Sequence, residues 1–103
     1  MAAPMKIRAR LQGDTAEIRV LVNHPMENGQ RKDAAGNLIP RHFIRQLTVS
    51  VGERVVFDAT FGTAVSRNPL FAFKVSGARA GERVIVSWQD NQGESRTDEA
   101  VIA

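Results

Sequence analysis

The strongest structural signal in this sequence lies near its N-terminus, in residues 6–22, which are KIRARLQGDTAEIRVLV. Apolar residues occupy every second position on both sides of Gly13-Asp14, and Lys6, Arg8 and Arg10 fill the alternate positions of the first run. The apolar positions are Ile7, Ala9, Leu11, Ile18, Val20 and Val22. A period of two is typical of strands with one buried and one wet face, and a Gly-Asp pair between two such runs favours a tight turn. The stretch therefore predicts an antiparallel β-hairpin.

The same alternation recurs along the rest of the chain, without helical periodicity. It predicts strands at residues 43–51, 54–61, 70–75, 83–89 and 95–102, with turns at Gly52-Glu53 and at Asp90-Asn-Gln-Gly93. In the segment 54–61 the pattern assigns Val55, Phe57, Ala59 and Phe61 to the core. About seven short strands predict an all-β fold, an immunoglobulin-like antiparallel β-sandwich. An open Greek-key barrel is the alternative.

Length and composition limit the kind of protein. A chain of 103 residues with 43% hydrophobic and 24% charged residues has the composition of one globular domain, residues 1–103. No run approaches the roughly 18 consecutive apolar residues of a membrane helix, so we expect no membrane partner. The net charge is a modest +3, and acidic residues are interleaved with basic ones. This distribution does not favour nucleic-acid binding.

The chain has no cysteine. This excludes disulfides, thiolate metal ligands, redox thiols and covalent thiol carriers. The segment MAAPMKIR at the start has no apolar run like that of a secretory signal. From the residues alone we expect a protein that is either cytoplasmic or exported with the help of another chain.

Two loops stand out as candidate binding segments. Residues 23–41 exceed the length at which a structureless loop is ordinary, and Asn28-Gly29 and Gly36-Asn37 indicate a small hairpin excursion there. Residues 62–69 form a second loop, rich in small residues, and binding residues concentrate on such loops. The long loop also carries apolar residues that would be exposed unless a partner covers them, namely Met26, Leu38, Ile39 and Pro40.

A search for reactive groups favours structural roles. The only histidines are His24 and His42, and two ligands do not make a metal site, so we interpret both as packing or hydrogen-bonding residues. No nucleophile motif surrounds any serine, and Asp98 and Glu99 are neighbours on a strand and point to opposite faces. We therefore predict no enzyme activity, no metal and no cofactor. The cations Arg31, Lys32, Arg41 and Arg45 either attract an anion or acidic partner or are simply solvated.

Four segments carry a resemblance to a known family. They are residues 24–33 (HPMENGQRKD), 37–44 (NLIPRHFI), 62–69 (GTAVSRNP) and 86–93 (VSWQDNQG). Together they resemble the SoxZ family, over essentially the whole of residues 6–103. The resemblance implies a non-catalytic subunit of the SoxYZ sulfur-carrier heterodimer of thiosulfate oxidation, whose SoxY-type partner carries sulfur intermediates on the cysteine of a flexible, glycine-rich C-terminal arm. It also implies periplasmic residence, with the partner supplying the export signal.

The resemblance and the two loops together predict a partner-binding surface. We expect this chain to stabilise the SoxY-type subunit, to help present its arm, and to meet other Sox enzymes transiently. The predicted partner-binding residues are Met26, Asn28, Arg31, Lys32, Leu38, Ile39, Arg41, Phe43, Thr63, Val65, Ser66 and Asn68. A finer expectation is that Arg31 and Lys32 favour the anionic sulfur adducts of the arm.

Two alternatives belong to other classes of protein. An independent ligand-binding or sensory β-sandwich would need exposed aromatic residues, yet most of the five Phe and the single Trp occupy inward strand positions. A metal enzyme such as a superoxide-reducing β-sandwich would need several histidines and a cysteine.

Overall fold

The computed structural model describes residues 2–103. All regular structure in this part of the chain is β-strand. The strands are β1 (Lys6–Gln12), β2 (Thr15–Leu21), β3 (Ile44–Val51), β4 (Arg54–Thr60), β5 (Leu70–Ser76), β6 (Arg83–Asp90) and β7 (Ser95–Val101). Over residues 2–103, no helix is long and apolar enough to span a membrane.

The strands form two antiparallel sheets. The first has the order β1-β2-β5 and the second has the order β4-β3-β6-β7. The inward residues of both sheets meet in one core, whose largest fully buried members are Trp88, Ile18, Ile44, Leu47 and Ile102. This arrangement confirms the predicted all-β, immunoglobulin-like sandwich.

The hairpin of β1 and β2 forms as the alternation predicts. Ala9 pairs with Ile18 and Ile7 with Val20, so the apolar residues of both strands face the core together. The turn between them places Gly13 at φ 66°, a left-handed conformation that suits a residue without a side chain.

The prediction that Val55 of β4 faces the core is wrong. Val55 is 64% exposed, whereas Val56 packs against the core. The cause is a bulge between β3 and β4: Val49 pairs with Phe57 and Ser50 with Val55, which leaves Val56 as an extra residue. A bulge shifts the alternation by one residue, so that the next side chain turns inward.

The long connection between β2 and β3, residues 22–43, which we call the long loop, is ordered by its own pairing. Isolated bridges join Glu27 to His42 and Lys32 to Leu38, and the Asp33 backbone N–H donates to the Asn37 carbonyl at 2.8 Å. These bonds confirm the small hairpin excursion that the Gly and Asn pairs indicate.

Strand direction brings three connections together. The long loop, the connection 61–69 between β4 and β5, which we call the short loop, and the β6–β7 turn at 91–94 all lie at one end of the sandwich. The molecule measures 53 × 20 × 20 Å, and we call this end the loop end. It contains all the predicted partner-binding residues.

Candidate functional site

The long loop and the short loop are joined at the loop end by reciprocal hydrogen bonds. The backbone N–H of His24 donates to Oδ1 of Asn68 at 2.9 Å, and the backbone N–H of Asn68 donates to the carbonyl of His24, also at 2.9 Å. The sequence analysis placed both loops at a partner-binding surface, and the structure brings them into direct contact. Arg67 and Asn68 consequently face the first turn of the long loop.

A cleft runs between the two loops. Two adjoining cavities of about 410 and 380 Å³ share Pro25, Glu27, Arg31 and Arg67 as lining residues. Asn68 lines one of them. The cleft is open to solvent at the loop end and is polar, with two guanidinium groups and one carboxylate among its shared residues.

The charges of the cleft are unequal. Nε of Arg31 donates to both carboxylate oxygens of Glu27, at 3.0 and 3.1 Å. This hydrogen bonding lowers the pKa of Glu27 and raises the pKa of Arg31. Arg67 makes no ion pair within 4.0 Å among residues 2–103, so it supplies the uncompensated positive charge of the cleft. Sequence analysis missed Arg67, because its position in the cleft depends on how the two loops pack.

Two residues beside this cleft have a left-handed backbone. Met26 has φ 49° and Asn68 has φ 50°, and they are the only non-glycine residues of the described chain with positive φ. Asparagine tolerates this conformation, whereas methionine is uncommon in it. Strained backbone persists where the surrounding structure holds it and is concentrated at functional sites.

The expectation that Met26 is exposed is wrong. Its side chain is 6% exposed and belongs to the core, and its Sδ accepts a hydrogen bond from the backbone N–H of Ile44 at 3.4 Å. The left-handed conformation turns Met26 inward at the start of the loop excursion. Its role is to fix the base of the long loop from inside.

The other predicted residues of the long loop lie on its hairpin and at its base. Leu38 is 60% exposed, and Ile39 is half-buried with its backbone N–H donating to the carbonyl of Arg31 at 2.8 Å. Asn28, Lys32 and Arg41 are exposed, and Phe43 is half-buried against the core. In the short loop, Thr63 and Val65 are half-buried and Ser66 is exposed.

The base of the hairpin is tied to the β6–β7 turn. The carbonyl of Arg41 accepts hydrogen bonds from Nδ2 of Asn91 and Nε2 of Gln92, and the backbone N–H of Phe43 donates to Oδ1 of Asn91. Gly29, at φ 82°, allows the Arg41 stem to cross closely, because a Cβ there would lie 2.8 Å from Cγ of Arg41. Sequence analysis described Asp90–Gly93 only as a turn and did not identify this anchoring.

Beneath the loops, His24, His42 and Asp90 form a buried network. Nε2 of His24 lies 3.0 Å and Nε2 of His42 lies 2.8 Å from Oδ2 of Asp90. The other oxygen of Asp90 accepts the backbone N–H groups of Gln92 and Glu94, both at 2.9 Å. One carboxylate thus receives four hydrogen bonds that connect both ends of the long loop to the β6–β7 turn.

The hydrogen bonds define the protonation of this network. Nδ1 of His24 accepts the backbone N–H of Met26 at 3.1 Å, so the proton of the neutral ring lies on Nε2 and faces Asp90. Burial lowers the pKa of His24 more than its hydrogen bond with Asp90 raises it. Burial alone would raise the pKa of Asp90, but hydrogen bonds from His24, Glu94, His42 and Gln92 outweigh this effect and lower it.

The same three side chains have the composition of a metal site, with their ligand atoms within 4.8 Å of one another. His24 does not fit such a site in this arrangement. Both of its nitrogens are engaged, and coordination through Nε2 would require the ring to lose the proton that it donates to Asp90. In this arrangement the three side chains form a hydrogen-bonded network that ties the long loop to the β6–β7 turn. Nor do Asp98 and Glu99 act together, since Asp98 pairs with Arg96 and Glu99 with Arg83.

Fold and site together define a class: an immunoglobulin-like β-sandwich whose loops at one end build an ordered, open cleft. A family model described as "Sulphur oxidation protein SoxZ" matches residues 5–101, nearly the whole chain. The chain belongs to the SoxZ family, and this membership gives it a general role in sulfur oxidation.

Comparison with curated proteins gave no match. Solved structures share the fold. A variant of the superoxide reductase (neelaredoxin) from Ignicoccus hospitalis matches with a TM-score of 0.66 and 17% identity, covering 98% of this chain and 79% of the other. A variant from Archaeoglobus fulgidus in the reduced form gives 0.64 and 17%, covering 97% and 86%. A superoxide reductase in the oxidised state gives 0.62 and 16%, covering 99% and 89%. At these identities the likeness concerns the fold alone.

Proposed function

We propose that this chain is the non-catalytic subunit of a SoxYZ carrier heterodimer, and that its loop end binds the SoxY-type partner, stabilises it and helps to present its cysteine-bearing arm to Sox enzymes. The observation that carries this proposal is the ordered cleft between the long and short loops, in a chain whose family is that of SoxZ. Two of the four segments that carry the family resemblance in the sequence, residues 24–33 and 62–69, form the two walls of this cleft.

The order of the loop end supports a binding role. A loop that is already fixed in its bound form loses little conformational entropy on association. Here the reciprocal bonds between His24 and Asn68, and the bonds of Asp90 with both histidines, hold the cleft without a partner. Leu38 remains exposed on the long loop and is an apolar side chain that a partner would cover.

The charges of the cleft refine the proposed contact with sulfur adducts. Because Glu27 pairs with Arg31, the cation that we assign to an anionic adduct is Arg67, on the opposite wall. Lys32 pairs with Leu38 across the small hairpin of the long loop, and it does not line the cavities. A single uncompensated guanidinium suits a monoanionic group at short range.

We further propose that the chain performs no chemistry of its own. It has no cysteine. In residues 2–103, two histidines and a carboxylate converge in one cluster, and there both histidines form hydrogen bonds with Asp90. An independent ligand-binding module is less favoured, because the phenylalanines of β4 and β5, together with Phe61 at the start of the short loop, stack on one another instead of forming an exposed platform. Phe57 stacks on Phe73, and Phe61 stacks on Phe71.

The proposed compartment is the periplasm, reached in complex with a partner that carries the export signal. Cell fractionation tests this. Deletion of the signal of the SoxY-type partner should retain this chain in the cytoplasm, and its appearance in the periplasm of that strain would contradict joint export.

Binding is tested with the purified chain and the SoxY-type protein of the same organism, mixed at micromolar concentration and separated by size-exclusion chromatography with light scattering. A 1:1 complex is expected. Leu38→Asp should weaken it by tenfold or more, since a charge would be buried in the interface. Val55→Asp is the matched control, because Val55 is as exposed as Leu38 but lies on β4 at the other end of the sandwich. Failure of the wild-type chains to associate would end the proposal.

A further inference from the structure

The outer face of the β1-β2-β5 sheet has an unusual charge. Strand register places six charged side chains on this face: Lys6, Arg8, Arg10, Glu17, Arg19 and Lys74. We call it the basic face. The alternate residues of the same strands, such as Ala9, Ile18 and Val20, are buried in the core, so the charged positions point to solvent.

The basic face accounts for more than the whole net charge of the chain. Its five cations and one carboxylate give +4, whereas all 103 residues together give +3, so the rest of the molecule carries −1. Net positive charge is therefore concentrated on this face, although nine of the fourteen basic residues lie elsewhere.

The cations of this face are mostly uncompensated. Arg8 and Arg19 are direct cross-strand neighbours, a pairing of like charges that weakens a sheet. Glu17 forms an ion pair with Arg19 at 3.1 Å. Lys6, Arg8, Arg10 and Lys74 make no ion pair within 4.0 Å in the described residues 2–103.

The outer face of the second sheet has a different charge pattern. Its middle row across β4, β3, β6 and β7 consists of Asp58, Thr48, Ser87 and Thr97, one acidic residue and three hydroxyl residues in register. On the same face, Arg83 of β6 forms an ion pair with Glu99 of β7. This outer face thus carries charges of both signs, whereas cations predominate on the basic face.

We propose that the basic face is a transient docking surface for the acidic surface of another protein, namely an enzyme that acts on the carrier heterodimer. This rests on the proposed function. Complementary charge steers such encounters and raises association rates more than affinity. Three strands of seven residues present a face of roughly 10–15 by 20 Å, smaller than one side of a permanent interface of about 800 Å². A surface of this size suits brief contacts.

Details of the face favour a protein over a membrane or a nucleic acid. Glu17 lies in the central strand, between Arg10 and Lys74, where a uniformly anionic surface would be repelled. At the end of the face nearest the loops, Leu21 and Leu70 pair beside Lys6 and offer apolar contact. No outward residue of these strands is aromatic, whereas binding of single-stranded nucleic acid relies on aromatic stacking.

The face also adjoins the candidate site. Leu21 and Leu70 are the last and first residues of β2 and β5, and the strands continue directly into the long and short loops that form the cleft. An enzyme held on the basic face would therefore lie beside the loop end, where the proposed function places the arm of the partner.

The test uses the heterodimer with its SoxY-type partner, as wild type and with Arg8→Gln and Arg10→Gln combined. The probes are the purified sulfur-oxidising enzymes of the same organism that act on the heterodimer, with association rates measured by stopped flow at low and high ionic strength. At low ionic strength the variant should associate about tenfold more slowly with at least one enzyme, with little change in the dissociation rate, and the difference should vanish at high salt.

A control variant removes the same charge elsewhere. Arg54→Gln combined with Arg83→Gln takes two cations from β4 and β6 of the other sheet and should leave the rates nearly unchanged. Equal slowing by both variants, or no slowing by either, would overturn the proposal. If the Arg8→Gln/Arg10→Gln variant lost more binding to phosphatidylglycerol vesicles or to duplex DNA than to the enzymes, the ligand of the basic face would be that membrane or nucleic acid and not a protein.

Failure of the basic face is distinguishable from failure of the proposed function. Size-exclusion chromatography first establishes whether the heterodimer forms. If it forms and the two charge variants do not differ, the docking surface is wrong and the SoxZ role stands. If it does not form, the role as a carrier subunit is wrong, and the same kinetics on the isolated chain still decide whether the face binds acidic proteins.

Discussion

Nε2 of His24 and Oδ2 of Asp90, 66 residues apart in sequence, lie 3.0 Å apart in the interior of the loop end. His42, at the far end of the long loop, donates to the same oxygen at 2.8 Å. A buried carboxylate with four donors is stable as an anion, and removing its charge leaves those donors without a good acceptor. The order of the cleft therefore depends on Asp90.

We predict that Asp90→Asn destabilises the fold by about 2 kcal/mol, because the amide N–H₂ group would face the N–H groups of the two histidines. Chemical denaturation gives the free energy of unfolding. The control is Asp58→Asn on β4, where the exposed carboxylate accepts from Gln46 and Thr48 and its loss should cost little. Equal effects of the two substitutions would show that the network does not stabilise the loop end.

The free energy of unfolding should decrease in two stages as the pH is lowered. The pKa of His24 in the folded state lies below its ordinary value of 6.5, so the folded state disfavours the charged ring, and stability decreases as the pH falls below about 6.5. The pKa of Asp90 also lies below its ordinary value of 3.8, so its contribution is present above that value and is lost as the pH falls further, through the folded pKa. Unfolding free energies measured from pH 8 to pH 3 test both stages.

A variant separates the two stages. His24→Gln removes the titrating ring, so the slope between pH 6.5 and pH 5 should flatten relative to the wild type, whatever the absolute stability of the variant. An unchanged slope in this interval would mean that another group is responsible.

Gly29→Ala should disturb the cleft more than Gly36→Ala. Both glycines have positive φ, at 82° and 86°, and alanine at either position is strained by roughly 1 kcal/mol. Only at Gly29 would the added Cβ also meet Arg41, whose carbonyl ties the hairpin to the β6–β7 turn. Affinity for the SoxY-type partner, measured by calorimetry, should fall for Gly29→Ala and stay near the wild-type value for Gly36→Ala.

Arg67→Gln should reduce the preference of the chain for a partner whose arm bears an anionic sulfur adduct. An exposed cation contributes little, so the expected loss is about two- to fivefold in the ratio of affinities for the loaded and unloaded partner. Lys32→Gln is the control with the same loss of charge. If Lys32→Gln has the larger effect, the anion does not lie in the cleft between Glu27 and Arg67.

The sequence predicts the strands well because their signal is local. Alternation in 6–22 determines both pairing and face, and β1 begins and ends at the predicted residues. The orientation of Val55 could not be predicted in this way, because it depends on a bulge against β3 and the residue pattern within β4 carries no sign of that bulge.

The candidate site is less predictable because it is built from residues that are distant in sequence. The two loops could be selected by their length and composition, and their contact follows from strand direction. The burial of Met26 depends on a left-handed backbone, and the roles of Asp90 and Arg67 depend on contacts with His24 and Glu27 across the loop end. Such contacts leave no periodic signal.

The central claim is that the loop end binds the partner. Hydrogen exchange of backbone amides, compared between the free chain and its complex with the SoxY-type subunit, tests it most directly. We predict added protection in residues 26–44 and 62–69, and little change at the opposite end, in the turns at 13–14 and 52–53. Equal exchange of both loops in the free and bound chain, with new protection elsewhere, would contradict the claim.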